Sequence, residues 1–252
     1  MKKIFSLIGV SITIALHAQP SADELAKQLQ NPLSSLISVP IQGNFDFGMG
    51  SENGSRALIN IQPVIPLSLN EKWNLITRAV LPVVSQNDIY GPSGSQFGLG
   101  DLTITGFFSP KESKNGVTWG VGPIVLLPTS TDNLLGAGEF GAGPSAVVLK
   151  QSGAITFGGL VNHLWANNVS NTFINPFIAK NYKGGYALAA NTEMTQNWEN
   201  DAFAGVFMIT GSKVFNVGTQ AMSAAIGPRF HYGGGRVGDF GFRAQLTFMF
   251  PK

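Results

Sequence analysis

From Val39 onward, apolar and polar residues alternate with a period of two. Val39, Ile41, Gly43, Phe45, Phe47 and Met49 share one face of an extended chain, and Gln42, Asn44 and Asp46 share the other. The last run is equally regular: Phe240, Phe242, Ala244, Leu246, Phe248 and Phe250 alternate with Asp239, Gly241, Arg243, Gln245, Thr247 and Met249. A strand built this way separates two different solvents. Ten further runs lie between these two: 56–69, 72–84, 97–109, 117–128, 139–150, 154–165, 172–182, 186–196, 203–213 and 219–232. Each is long enough for the roughly 9–11 tilted residues that cross a bilayer, whereas soluble strands average about five or six. Twelve antiparallel strands, an even number, predict a closed transmembrane β-barrel of the all-β class.

The connections support this reading. Asn70-Glu71, 110–116, 151–153, 183–185 and 214–218 are fairly short, while 85–96, 129–138, 166–171, 197–202 and 233–238 tend to be longer. Barrels of bacterial outer membranes show this asymmetry between their two ends. Prolines run against it. Pro63 and Pro176 fall inside runs, and proline cannot donate to a ladder.

Ahead of the strands, Ser21 with Glu24 three residues later forms a capping box, and Leu25 and Leu29 lie one turn apart. Asn31-Pro32 ends this short helix. Its expected place is the mouth of the barrel, the sharper alternative being a plug in the lumen. Residues 1–18 read as a secretory signal, with Lys2 and Lys3, an apolar run from Ile4 to Leu16, and cleavage after Ala18. That run is too short for the roughly 20 residues of a spanning helix. The expected organisation is a signal at 1–18, a helical segment at 19–38 and a barrel at 39–252.

Composition sharpens the picture. Charged residues are 12% of the chain, against about 25% in soluble domains. A protein facing lipid needs fewer. There are no cysteines, so no disulfides stabilise the exported chain. The net charge of +2 is scattered, which argues against nucleic acid as a partner.

No motif calls for catalysis, a metal or a cofactor. Gly136, Gly138 and Gly141 have the spacing of a dinucleotide loop but lack the strand before and helix after. His163 and His231 without cysteine do not make a closed zinc site. His163, beside Trp165, reads as an interface residue. No nucleophile elbow marks a hydrolase. The informative set is the polar face. The candidates for the lumen are Asn44, Asp46, Arg56, Asn60, Arg78, Asp101, Glu139, Glu193, Arg229, His231 and Arg243. Their signs nearly balance, so strong ion selectivity is not expected. They line a path for a small solute or pair into a sealed structural core. Trp73, Trp119, Trp165, Tyr182, Tyr186, Trp198 and Tyr232 sit near strand ends and suit interfacial girdles.

The stretches NPLSSLISVPIQGNFDFG, NIQPVIPLSLNEKWNLITRAVLPV, GSQFGLGD, FFSPK, WGVGPIVLLPT, LGAGEFGAGPSAVVLKQ and LTFMFPK resemble a family of bacterial outer-membrane transporters labelled for a MetA pathway of phenol degradation. The resemblance runs from about Leu25 to Lys252. It implies a barrel in outer-membrane lipid that passes small solutes, hydrophobic or aromatic ones among them. It supplies no catalytic residue and no cofactor.

Overall fold

The computed structural model describes residues 20–235 and 238–251. The signal expected at 1–18 lies outside them. Helix α1 covers Ala22–Leu29. Ser21 Oγ accepts from the Glu24 amide at 3.2 Å, and Glu24 Oε2 accepts from the Ser21 amide at 2.8 Å. Both otherwise orphaned donors are thereby satisfied.

Fourteen strand segments follow: β1 (Ile37–Met49), β2 (Gly54–Ile61), β3 (Val64–Ser68), β4 (Trp73–Asn87), β5 (Ser95–Leu99), β6 (Leu102–Pro110), β7 (Val117–Leu127), β8 (Gly141–Ser152), β9 (Ile155–Ala166), β10 (Val169–Tyr182), β11 (Tyr186–Asn197), β12 (Ala202–Val217), β13 (Gln220–Tyr232) and β14 (Phe240–Phe250). Neighbours pair antiparallel in sequence order. β14 returns to β1 in a ladder from Ile37 opposite Phe250 to Phe47 opposite Phe240, and this closes the barrel. β2 and β3 both pair with β1 and β4, so they are one stave interrupted at Gln62-Pro63. β5 and β6 are likewise one stave along β4, interrupted at Gly100-Asp101. The closed barrel therefore has twelve staves.

The prolines find specific places. At the β2/β3 break the Gln62 amide still donates to Pro40 O, and the Ala79 amide to Pro63 O, so both neighbouring strands stay bonded to the break despite the missing donor. Pro123, Pro144, Pro176 and Pro228 are exposed on the outer face. Each coincides with a lapse in one flanking ladder: β6–β7, β8–β9, β10–β11 and β12–β13, respectively. The other ladder of each proline continues across it. The glycine before Pro144 is obligatory, because a Cβ on Gly143 would lie 1.7 Å from the His163 carbonyl oxygen.

One face assignment changes. Gly48 takes φ +68° and the β1–β2 register slips between Phe47 and Met49. This bulge buries Met49, which simple alternation puts on the outer face with Phe47.

Ile41, Phe157, Ile178, Leu188, Ile226 and Phe242 point outward and are exposed, so the barrel wears an apolar band. Two apolar clusters lie inside. Leu25, Ala26 and Leu36 pack on Val214, Ala221 and Met249. Leu33 packs on Ile76, Phe107, Val147 and Leu149 of the facing wall. The segment 22–36 therefore reaches from wall to wall at the short-turn end of the barrel, with α1 at the mouth and Leu33 on the facing wall. The Gly185 amide donates to Asp23 Oδ1, and Gln151 Nε2 to the Lys27 carbonyl, which tie it to two turns. No described helix is long and apolar enough to cross a membrane.

Candidate functional site: the barrel lumen

β1 contributes Asn44 and Asp46 to the polar belt, because they share the face opposite Phe45 and Phe47. β13 and β14 bring Arg229, His231 and Arg243 to the same level through their registers with each other and with β1. Asp46 Oδ1 accepts from Arg229 Nε at 2.8 Å and lies 2.9 Å from His231 Nε2. Asn44 Oδ1 accepts from Arg229 Nη1 at 3.0 Å and from Arg243 Nε at 2.7 Å. Arg243 Nη2 reaches across to Glu193 Oε1 of β11 at 3.0 Å. Charge-assisted bonds of this length are among the stronger ones available. The result is one polar belt that links β1, β11, β13 and β14. Asp46 has no exposed side-chain surface, so it serves the belt and is closed to passing ions.

Arg78 of β4 donates to Gln62, the residue at the stave break. It lines two neighbouring cavities of about 260 and 240 Å³ between the belt and the N-terminal segment. Arg56, Asn60 and Asp101 line a third cavity of about 290 Å³ toward the opposite end, where Leu134, Leu135 and Gly136 cover them. Arg56 Nε is buried there without a hydrogen-bond partner among the described residues.

Asp101 and Glu139 stand apart from the belt. Asp101 accepts from the Ser130 and Gly138 amides, both at 3.0 Å, and so anchors the loop between β7 and β8. Thr129 and Thr131 add bonds to Leu102 and Leu99. The loop thus covers the edge of β5 that β7 leaves unpaired. Glu139 lies in that loop, two residues before β8 begins, where alternation alone puts it on a strand. The glycines around it precede a strand, not a helix. With these two acids removed, the belt and the two inner cavities hold Arg78, Arg229 and Arg243 against Asp46 and Glu193.

Sequence patterning missed the residues of 31–36. Leu33, alone between Pro32 and two serines, shows no periodicity, and only the packing reveals it as a contact on the far wall. Gln86 was passed over too. It is buried and donates to Leu134 O, which helps hold the loop across the mouth.

Outside, Trp165 lies against His163 with ring centroids 4.2 Å apart. His163 Nδ1 and Trp198 Nε1 both bond Thr172 Oγ1 at 2.8 Å. At the other end, Trp73 and Trp119 pack edge to face at 5.9 Å. Tyr232 covers Gly205 and its hydroxyl lies 2.6 Å from Thr192 Oγ1. Amphipathic rings with bonded polar tips suit a boundary between lipid and water.

No family model matches the chain, and neither does any curated protein. The phenol-pathway label therefore has only the sequence stretches behind it. Among solved structures, the chain is similar to the COG4313 outer membrane channel from Pseudomonas putida F1, at 15% identity and a TM-score of 0.67, over 85% of this chain and 94% of that one. An anion-selective porin from Comamonas acidovorans matches at 8% identity over 85% and 98% of the chains, but its TM-score of 0.42 is too low to carry an argument. The first likeness establishes a shared fold, and the twelve-stave barrel of this chain is the fold of an outer membrane channel.

Proposed function

We propose that this protein spans a bacterial outer membrane and conducts small solutes through a narrow lumen, with a mild preference for anions. The observation that carries the reading is the inversion of polarity: charges lie inside a closed barrel and exposed apolar side chains cover the outside. Water-soluble proteins are built the other way round. The likeness to an outer membrane channel supports it.

Lys72, Lys111, Lys114 and Lys183, with Glu71 and Glu112 among them, occupy the short turns at the end where β1 begins and β14 stops, which we assign to the periplasm. Glu52, Asp88, Asp132, Glu199 and Asp201 occupy the loops of the other end. Three arginines against two carboxylates along the inner path favour anions, and the paired state of most of them keeps the preference small. The surrounding partner is membrane lipid. Small hydrophobic or aromatic solutes are the class that the sequence resemblance suggests.

The test is reversal potential in planar bilayers under a potassium chloride gradient. A small conductance with anions favoured supports the reading. Cation preference would reject the charge argument. A second reading, a sealed structural barrel, draws on the complete burial of Asp46 and the segment packed across the lumen. Absence of conductance in folded protein would select it.

A further inference from the structure

The two cavities beside Arg78 are continuous in their lining: both include Leu29, Gln30, Pro32, Arg78, Ala189 and Thr210. Neither is lined by an aspartate or a glutamate. The larger also receives Arg243 and the amides of Gln42, Gln62 and Gln245. The smaller has an apolar side formed by Leu160 and Phe177. Arg243 spends Nε on Asn44 and Nη2 on Glu193. Among the described residues the one hydrogen bond that Arg78 makes is to the neutral carbonyl of Gln62. A guanidinium has five donors in a planar fork that matches a carboxylate. Among the described residues Arg78 therefore reaches the cavities without a direct ion pair, and Glu193, bonded to Arg243, acts on it only through space.

We infer that these cavities form a binding site for a small organic carboxylate with a compact apolar body, held at Arg78 against the N-terminal segment. The charged end meets Arg78, with the neutral amides around it. The body lies toward Leu160, Phe177, Leu29 and Pro32. Arg78, with Arg243 already paired to Glu193, leaves the lining with one cationic group that selects against cations, and the apolar wall selects against inorganic anions. The floor of the site is the segment that narrows the lumen, so a bound carboxylate rests on the obstruction it has to pass. The inference rests on the channel reading for its role, but the site itself can be measured without conduction.

The experiment is calorimetric titration of the full folded protein in detergent with benzoate, and with benzyl alcohol as a neutral analogue of similar size. Benzoate is expected to bind saturably and benzyl alcohol at least tenfold more weakly. Arg78→Gln should weaken benzoate at least tenfold, while Lys150→Gln on the outer face leaves it unchanged. Equal binding of benzoate and benzyl alcohol, or full affinity in Arg78→Gln, overturns the site. Should Arg78→Gln fail to fold, the comparison of the two ligands on the unaltered chain decides. Conductance in potassium chloride is read in parallel. Conductance without benzoate binding rejects the site and keeps the channel. Benzoate binding without conductance keeps the site and rejects the channel.

Discussion

Arg229 of β13 grips Asp46 of β1 with two nitrogens, Nε at 2.8 Å and Nη2 at 3.3 Å, across a separation of 183 residues. β14 lies between their strands, so the bond spans the seam where the barrel closes. Removing one partner of a buried pair leaves an uncompensated charge and costs about 3–5 kcal/mol, whereas replacing both is often close to neutral. Asp46→Asn is therefore expected to destabilise the protein more than the double variant Asp46→Asn with Arg229→Met. Urea titration of the vesicle-inserted protein measures this. Equal losses would mean that the pair does not stabilise the seam.

Phe242 and Arg243 make a paired test of register. Phe242 stacks outward on Phe45 at 4.7 Å, and Arg243 is buried in the belt. Arginine at a lipid midplane costs about 2–4 kcal/mol. Phe242→Arg should impair insertion more than Arg243→Phe, scored as the fraction that shifts in mobility on heating. The reverse order would contradict the inner and outer faces assigned to β14.

The N-terminal segment offers a third measurement. Leu25, Ala26 and Leu33 hold it to both walls. A chain lacking residues 21–34 should insert with a several-fold larger single-channel conductance. An unchanged conductance in folded protein would show that the segment does not limit the path.

Gly143 predicts a defect of assembly rather than of transport. A Cβ there would meet His163 O at 1.7 Å, and backbone on a neighbouring strand cannot withdraw as a flexible side chain can. Gly143→Ala should lower the yield of heat-modifiable barrel well below that of Gly153→Ala. Gly153 has open space, and its φ of +58° adds only local turn strain. Equal yields would show that the β8–β9 seam adapts.

Alternation determined the staves and their faces because both are local properties. Successive side chains of a strand point to opposite sides, so Asn44, Asp46 and Arg243 declared themselves inward and Phe45 and Phe242 outward with no partner specified. The capping box likewise located α1 from Ser21 and Glu24 alone. What depends on closure could not be read this way. Gln62-Pro63 and Gly100-Asp101 interrupt their staves without breaking the barrel, because the neighbouring strands hold both halves in register. Asp101 lines the inner cavity of Arg56 and Asn60, but the two loop amides that bond it could not be read from its strand. Leu33 has no pattern of its own, and its place on the far wall exists only once twelve staves enclose a space for it. The faces of a strand follow from its own covalent geometry. The partners of an inward residue follow from which strands the barrel brings opposite one another, and only the tertiary structure decides that.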